Sequence, residues 1–233
     1  MEFNPHKCNA MTITNKRRPV QQTYKIHDQA LEAVPSAKYL GITLHQIMKW
    51  NQHICHLASK ANSTRAFLQR NIKSCPRNVK TMCYKTLLRP ILEYGCEIWD
   101  PSTQSHIQRL EMVQRRYARF IFNDHRTTSS VTSMLSSLQW PTLQERRAQY
   151  KVFMIHRIIN SSVEIPASTY LIPVNRSSHR GHCQKYQVPF ARTQAFQTSF
   201  FPDSIRLWNS LPGSAICTSL DHFKREVLQA KLR

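Results

Sequence analysis

Glycine is scarce in this chain. Gly41, Gly95, Gly181 and Gly213 are the four in 233 residues, too few for a glycine-rich phosphate loop or a turn-dense β-sandwich. Acid is scarce too: 13 Asp and Glu stand against 33 Lys and Arg, a formal charge of +20. The acids are single and scattered, whereas a two-metal site needs several carboxylates brought together. Glu93, Glu97 and Asp100 come nearest, and Arg89, one helical turn before Glu93, is the partner expected of a lone helical acid. None of the seven cysteines forms a Cys-x-x-Cys pair, and their odd number reads as reduced thiols in an intracellular protein, nuclear or cytoplasmic rather than secreted. The first twenty residues lack the apolar core of a secretory signal. No uncharged apolar run approaches the roughly 20 residues of a membrane helix, so no membrane partner is expected. His53, Cys55 and His56, and likewise His179, His182 and Cys183, lack the second ligand pair of a structural zinc site. There is no Gly-x-Ser-x-Gly elbow. Neither a cofactor nor a metal is expected in this chain.

Present instead is basic charge at helical spacing. The longest Lys/Arg run is Lys16-Arg17-Arg18, so the excess sits on folded surfaces and points to a polyanion or an acidic partner. Residues 9–44 read as short strands: Met11–Thr14, Thr23–Ile26 and Tyr39–Leu44 are rich in β-branched and aromatic residues, with breaks at Pro19, Asp28 and Pro35. From about residue 47 the period changes. Trp50, Ile54, Leu57, Ala61, Thr64 and Leu68 form the stripe of an amphipathic helix. A second helix opens near Pro76 and is kinked or ended by Pro90. A third, capped by Thr103, aligns Ile107, Leu110, Val113, Tyr117 and Ile121, and a fourth runs from Pro141 to about Ile159. Beyond it, 161–183 reads as loop, Tyr186–Phe190 and Phe196–Phe200 as a hairpin, and Pro202–Leu211 and Ser219–Leu232 as short helices. The fold class is α+β and predominantly helical, in three parts: a β segment 1–45, a helical domain 46–160, and a C-terminal region 161–233.

Two basic faces carry the binding expectation. Lys49, His53, His56 and Lys60 flank the apolar stripe of the first long helix, with Arg65, Arg70 and Lys73 further along. Arg109, Arg115, Arg116 and Arg119 cluster opposite the apolar face of the third. Few acids accompany them, which favours contact with a nucleic-acid backbone. Trp50, Trp99, Trp140 and Trp208 are read as core anchors rather than base-stacking platforms.

The order and spacing of several strings resemble one known family. Asn4-Pro5-His6-Lys7-Cys8 is followed by Lys38-Tyr39-Leu40-Gly41-Ile42-Thr43-Leu44, Leu88-Arg89-Pro90-Ile91-Leu92-Glu93-Tyr94 and Trp99-Asp100-Pro101. Leu110 to Arg116, Leu143 to Arg147, Ser199 to Pro202 and Ile205 to Asn209 continue the series. Together they resemble the LINE-type (non-LTR) retrotransposon reverse transcriptases, the jockey-like branch above all. The resemblance implies an RNA-directed DNA polymerase whose metal-binding aspartates, including a Tyr-Ala-Asp-Asp turn, precede the first of these strings. No catalytic residue is therefore carried onto this chain, and Mg2+ is expected only in a full-length polymerase. Residues 1–45 would correspond to the end of the palm, with Lys38, Tyr39, Leu40 and Gly41 at the primer grip, and 46–160 to the thumb. The implied partners are RNA and DNA, as a template–primer duplex held without sequence preference, and the missing palm and fingers of the same polymerase. His45 departs from the family, which commonly has Asp there. Two readings remain beside that of an inactive remnant: a segment of an intact polymerase, and, from another class, a helical adaptor for a protein partner without nucleic-acid function.

Overall fold

A computed structural model describes residues 4, 7–14, 16–18, 20, 22–174, 182, 184–216, 219–230 and 232. They fall into two compact units, Met1–Lys60 and Ala61–Arg233. The class is α+β and mostly helical, as the periodicities require.

The first unit holds three two-stranded ladders: β1 (Asn9–Ala10) parallel to β4 (Glu32–Ala33), β2 (Lys25–Ile26) antiparallel to β3 (Gln29–Ala30), and β5 (Ser36–Tyr39) antiparallel to β6 (Ile42–His45). Two expectations are corrected here. Met11–Thr14 is not a strand; the ladder lies just before it, and Thr14 instead donates its N–H to the Gln46 carbonyl at 3.1 Å. Tyr39–Leu44 is not one strand either but the turn of a hairpin in which Tyr39 pairs with Ile42 and Ser36 with His45. Leu40 and Gly41 both have positive φ, 46° and 84°, the geometry that matches the twist of flanking strands in a two-residue hairpin. A leucine at positive φ is costly, so composition gives no hint of the turn. His45, the departure from the family pattern, accepts the Ile47 N–H on its Nδ1 at 3.3 Å, a turn-closing bond that an Asp carboxylate two residues upstream could equally accept.

Helix α1 (Asn51–Asn71) begins in this unit. Its residues Ile54, Leu57 and Ala58 are buried, and so is Ile42 of β6. His53 is also buried, contrary to the polar-face position expected of it. Its Nδ1 accepts the Thr43 N–H at 3.2 Å, which ties the hairpin to the helix and requires a neutral ring. Burial, helped by the neighbouring His56, lowers the His53 pKa from 6.5 to about 4. The unfolded chain therefore binds this proton more readily. The stability that His53 contributes is present above pH 6.5 and lost as the pH falls towards 4. Acid unfolding followed by circular dichroism is expected to show this loss in the native protein and a flatter profile in His53→Gln.

In the second unit, α2 (Arg77–Cys83) runs into a π-helical turn, Tyr84–Leu88, and then α3 (Arg89–Glu93). Pro90 neither breaks nor ends the rod. The widened turn closes through the Arg89 N–H to the Tyr84 carbonyl just where Pro90 has no N–H and its ring would crowd the preceding turn. Gly95, at φ 62°, then turns the chain into α4 (Cys96–Trp99). The long α5 (Gln104–Phe122) ends on Asn123 in the left-handed region. A short α6 (Val131–Ser137), which no apolar periodicity announces, precedes α7 (Leu143–Ile159). Thr142 and Glu145 close a reciprocal capping box on α7.

Two aromatic centres hold this unit. Tyr84 stacks on Trp140 at 4.0 Å and donates its hydroxyl to the buried Gln114 at 2.6 Å, which in turn donates to the Pro141 carbonyl. After the short helices α8 (Ala167–Tyr170) and α9 (Gln194–Gln197) come α10 (Phe200–Asn209), α11 (Gly213–Ile216) and α12 (Leu220–Gln229), and α10 and α12 bury Ile205, Trp208, Phe223 and Val227 against Val152, Ile155 and Ile158 of α7. Trp99, Trp140 and Trp208 are core residues and Trp50 is half-buried. The C-terminal hairpin is overturned. Tyr186 makes one isolated bridge to Pro173, while residues 194–197 form α9, capped by the Thr193 side chain accepting the Phe196 N–H. Pro202 lies in the first turn of α10, a place a proline tolerates and a paired strand does not. Of the second Cys/His group, His179 and Cys183 lie outside the described residues.

Candidate nucleic-acid interface

Of the scarce acids, Glu93, Asp100, Glu111, Asp124, Glu145 and Asp203 of the second unit are held by the protein's own groups, while Asp28, Glu32, Glu164 and Asp221 are exposed. Asp100, buried after α4, accepts from Arg147 Nε at 2.7 Å and from Lys151 Nζ at 2.6 Å. Lys151 also reaches Asp203 of α10 at 2.7 Å. Arg147 and Lys151 are one helical turn apart on the inner face of α7, and both are fully buried. Glu93 is bound by Arg146, by the Tyr150 hydroxyl at 3.1 Å, and more loosely by Arg89 at 3.7 Å. Glu111 on α5 accepts the Gln144 N–H at 2.9 Å, and burial raises its pKa. Glu145 is held in the capping box, and Asp124 in a local pair with Arg126. Of the basic partners of these acids, sequence spacing picks out Arg89 alone. Arg146, Arg147 and Lys151 escape it because their partners lie about 50 residues away in sequence. Their one visible signal is three bases inside an otherwise amphipathic helix.

The basic residues expected to bind fall into three groups. In the first unit Lys38, Tyr39, Leu40 and Gly41 form the exposed end of the β5–β6 hairpin, where Tyr39 is 66% and Leu40 71% exposed. Lys49, just before α1, and Lys60 within it are exposed. His53 leaves this set, since it is buried.

On the part of α1 beyond Lys60, Arg70 is exposed, as is Lys73 after the helix end. Arg65 points the other way. It is half-buried and bonded to Asn62 at 3.3 Å and Gln69 at 2.6 Å. Burial, with the neighbouring Arg116, lowers its pKa.

On α5 the four arginines share one side. At about 100° per residue, Arg109, Arg115, Arg116 and Arg119 fall within roughly a third of the helix circumference, around the exposed Met112. Arg109 and Arg116 are exposed, Arg115 and Arg119 half-buried. Arg119 also serves the loop that follows. Its guanidinium donates to the carbonyls of Arg126 at 2.6 Å and Ser129 at 3.2 Å, with a longer bond to Asp124 at 3.4 Å. Arg116 has no acidic partner among the described residues; the charge it meets is Arg65.

No helix among the described residues is long and apolar enough to cross a membrane. No family model matches the sequence, and no solved structure matches it. Curated relatives do. Over 122 residues, 51% of the chain, it is 30% identical to a probable RNA-directed DNA polymerase from transposon X-element of Drosophila melanogaster, covering 13% of that protein. Over 126 residues, 52% of the chain, it is 25% identical to the RNA-directed DNA polymerase from mobile element jockey of the same fly, again covering 13% of it. A probable RNA-directed DNA polymerase from transposon BS is 27% identical over 130 residues, which is 52% of this chain and 14% of the relative. The chain thus matches a small part of much longer proteins, and the resemblance to non-LTR retrotransposon reverse transcriptases is borne out by these relatives.

Proposed function

We propose that this chain is the part of a mobile-element RNA-directed DNA polymerase that holds the template–primer duplex, reading backbone rather than sequence. The observation that carries this is the segregation of charge. In the second unit Glu93, Asp100, Glu111, Asp124, Glu145 and Asp203 are held by the protein's own groups, whereas Arg70, Lys73, Arg109 and Arg116 are exposed; in the first unit Lys49 and Lys60 are exposed. A surface that must follow a moving duplex needs such a basic face and no base-specific contacts. Two-metal chemistry does not fit the described residues. The carboxylates that would ligate, Glu93, Asp100 and Asp203, are already bound by arginine and lysine. Phosphoryl transfer and its Mg2+ would belong to other parts of the polymerase. The β5–β6 hairpin end, with Lys38 beside Tyr39, Leu40 and Gly41, would rest against the primer strand in the manner of a primer grip. An exposed apolar side chain at a two-residue turn approaches a sugar–phosphate backbone closely and leaves its hydrogen bonding to water.

A fluorescent RNA–DNA hybrid titrated with the full chain at several salt concentrations tests this. Log affinity is expected to fall linearly with log salt, at a slope of roughly −0.9 for each phosphate neutralised, and equally for unrelated sequences. Affinity indifferent to salt would transfer the weight to a helical adaptor that binds a protein partner.

A further inference from the structure

A cavity of about 650 Å3 opens where the end of α5, the loop after it, α6 and the start of α2 meet. That volume lies in the range of small-molecule pockets, and its lining is divided by chemistry. Arg77, His125 and Arg126 bring cationic or donor groups to it. Phe122 and Met134 supply apolar surface, with the Arg77 guanidinium held over the Phe122 ring at 4.7 Å from its centre. The serines of α6 supply acceptors. Ser133 donates its hydroxyl hydrogen to the Ser130 carbonyl at 2.8 Å, and Ser137 donates its own to the Ser133 carbonyl at 2.9 Å. Both therefore present lone pairs to whatever enters.

The loop forming one wall is preorganised. Arg119 holds three of its carbonyls. The Asp124 carboxylate accepts from the Arg126 backbone N–H, from its guanidinium and from the Ser129 hydroxyl at 2.6 Å. The acid at the cavity is thus occupied by the protein and held well below the usual carboxylate range by those bonds. It orients Arg126 rather than facing a ligand bare.

A bare phosphate would leave the apolar surface and the serine acceptors unmatched, and an apolar ligand would strand the cations. We propose that this cavity takes a single unpaired nucleotide. Its phosphate would lie on Arg77 and Arg126, its base against Phe122 and Met134, and its ribose hydroxyl or base amino hydrogens on Ser133 and Ser137. The nucleotide is either part of a strand or free. The strand-borne case rests on the proposed function; the cavity itself does not.

The test titrates the full chain with a blunt RNA–DNA hybrid, with the same hybrid bearing a four-nucleotide single-stranded overhang, and with adenosine 5′-monophosphate alone. The two variants are Ser133→Trp, an exposed helical position where the indole fills the cavity, and Arg77→Glu. The overhang is expected to add about tenfold in affinity, the effect of one stacked base. Both variants should abolish that increment and leave blunt-hybrid affinity within about twofold, as for independent sites. Absence of an increment, with adenosine monophosphate shifting the Arg77 and Arg126 Nε–H resonances in native protein alone, would assign the site to a free nucleotide. An increment that survives both variants, or no response to overhang and mononucleotide alike, overturns the proposal. Failure of the blunt hybrid to bind, with the mononucleotide shifts retained, would refute the duplex-holding function and leave the cavity assignment standing.

Discussion

Replacing Asp100 by Asn is expected to lower the unfolding free energy of the second unit by about 3–5 kcal/mol, the penalty for stranding buried charge. Arg147 is fully buried, and its Nη1 and Nη2 have no hydrogen-bond partner among the described residues. The Nε bond to Asp100 is its charge-compensating contact. Lys151 would retain Asp203, which is half-buried on α10. Asp100→Asn therefore leaves Arg147 without its ion-paired carboxylate, with the Glu111 charge nearby but unbonded to it, at a point where three segments converge. Urea unfolding followed by tryptophan fluorescence measures the change, since Trp99 adjoins Asp100 and Trp208 lies in the α7–α10 core. Total domain stability is typically 5–15 kcal/mol, so such a decrease would leave the unit barely folded. A decrease under about 1 kcal/mol would mean that water reaches the cluster. Replacing Asp100, Arg147, Lys151 and Asp203 together by Leu and Met should recover much of the stability, because removing a buried ionic cluster whole is far less harmful than breaking it.

The second large effect is on binding. Arg109→Glu with Arg116→Glu is expected to weaken hybrid binding on the order of a hundredfold at low salt, since juxtaposed like charges cost several kcal/mol. The slope of log affinity against log salt should flatten by about 1 for each phosphate that is no longer neutralised. The weakening should be the same for every duplex sequence. Lys224→Glu with Arg225→Glu is the control. Both residues are exposed on α12, and reversing them changes net charge by the same amount. Equal weakening in the two pairs would show that net charge, not the α5 face, determines affinity. Arg119 is left native in both, because removing it would also release three carbonyls of the loop that follows.

The helical part of the fold is legible wherever apolar residues recur at three and four. The stripe Ile107, Leu110, Val113, Tyr117 and Ile121 is buried throughout on α5, and α7 ends at Ile159 as its periodicity requires. The β part is legible in kind but not in register. A reading based on β propensity joins Tyr39 to Leu44, because nothing in the residue types reports that Leu40 adopts a positive φ. The candidate interface is half legible. Sequence locates the basic residues, but helical phase separates them: Arg65 turns inward and Arg119 is drawn into the loop. The long-range pairing of Asp100 with Arg147 and Lys151 is invisible, because an ion pair leaves no periodic trace in either partner. His53 fails as a surface residue for a related reason. Its polar type suggests solvent, while its position opposite the Thr43 N–H makes it a buried acceptor.

The π-helical turn at Tyr84–Leu88 has a bearing on how this element tolerates mutation over time. Tyr84, Leu88 and Leu92 are all buried, four residues apart each time. A regular α-helix advances about 40° beyond a full circle in four residues, so a strict four-residue repeat drifts off any fixed face. The widened turn absorbs part of that drift and keeps Glu93 in line with Arg146 and Tyr150. The extra residue is thus a phase adjustment, and the regular helix on either side of it should be far less tolerant of length change than of exposed substitution. Loss of one residue between 84 and 88 removes the slack of the widened turn and lets the flanking segments rejoin as regular α-helix, whereas loss of one residue within α2 has no such slack and would rotate everything downstream by about 100°. A shortened α2 would thus be unable to assemble this unit although every side chain in it were native, whereas substitutions at its exposed positions, such as Asn78 or Met82, would leave it folded.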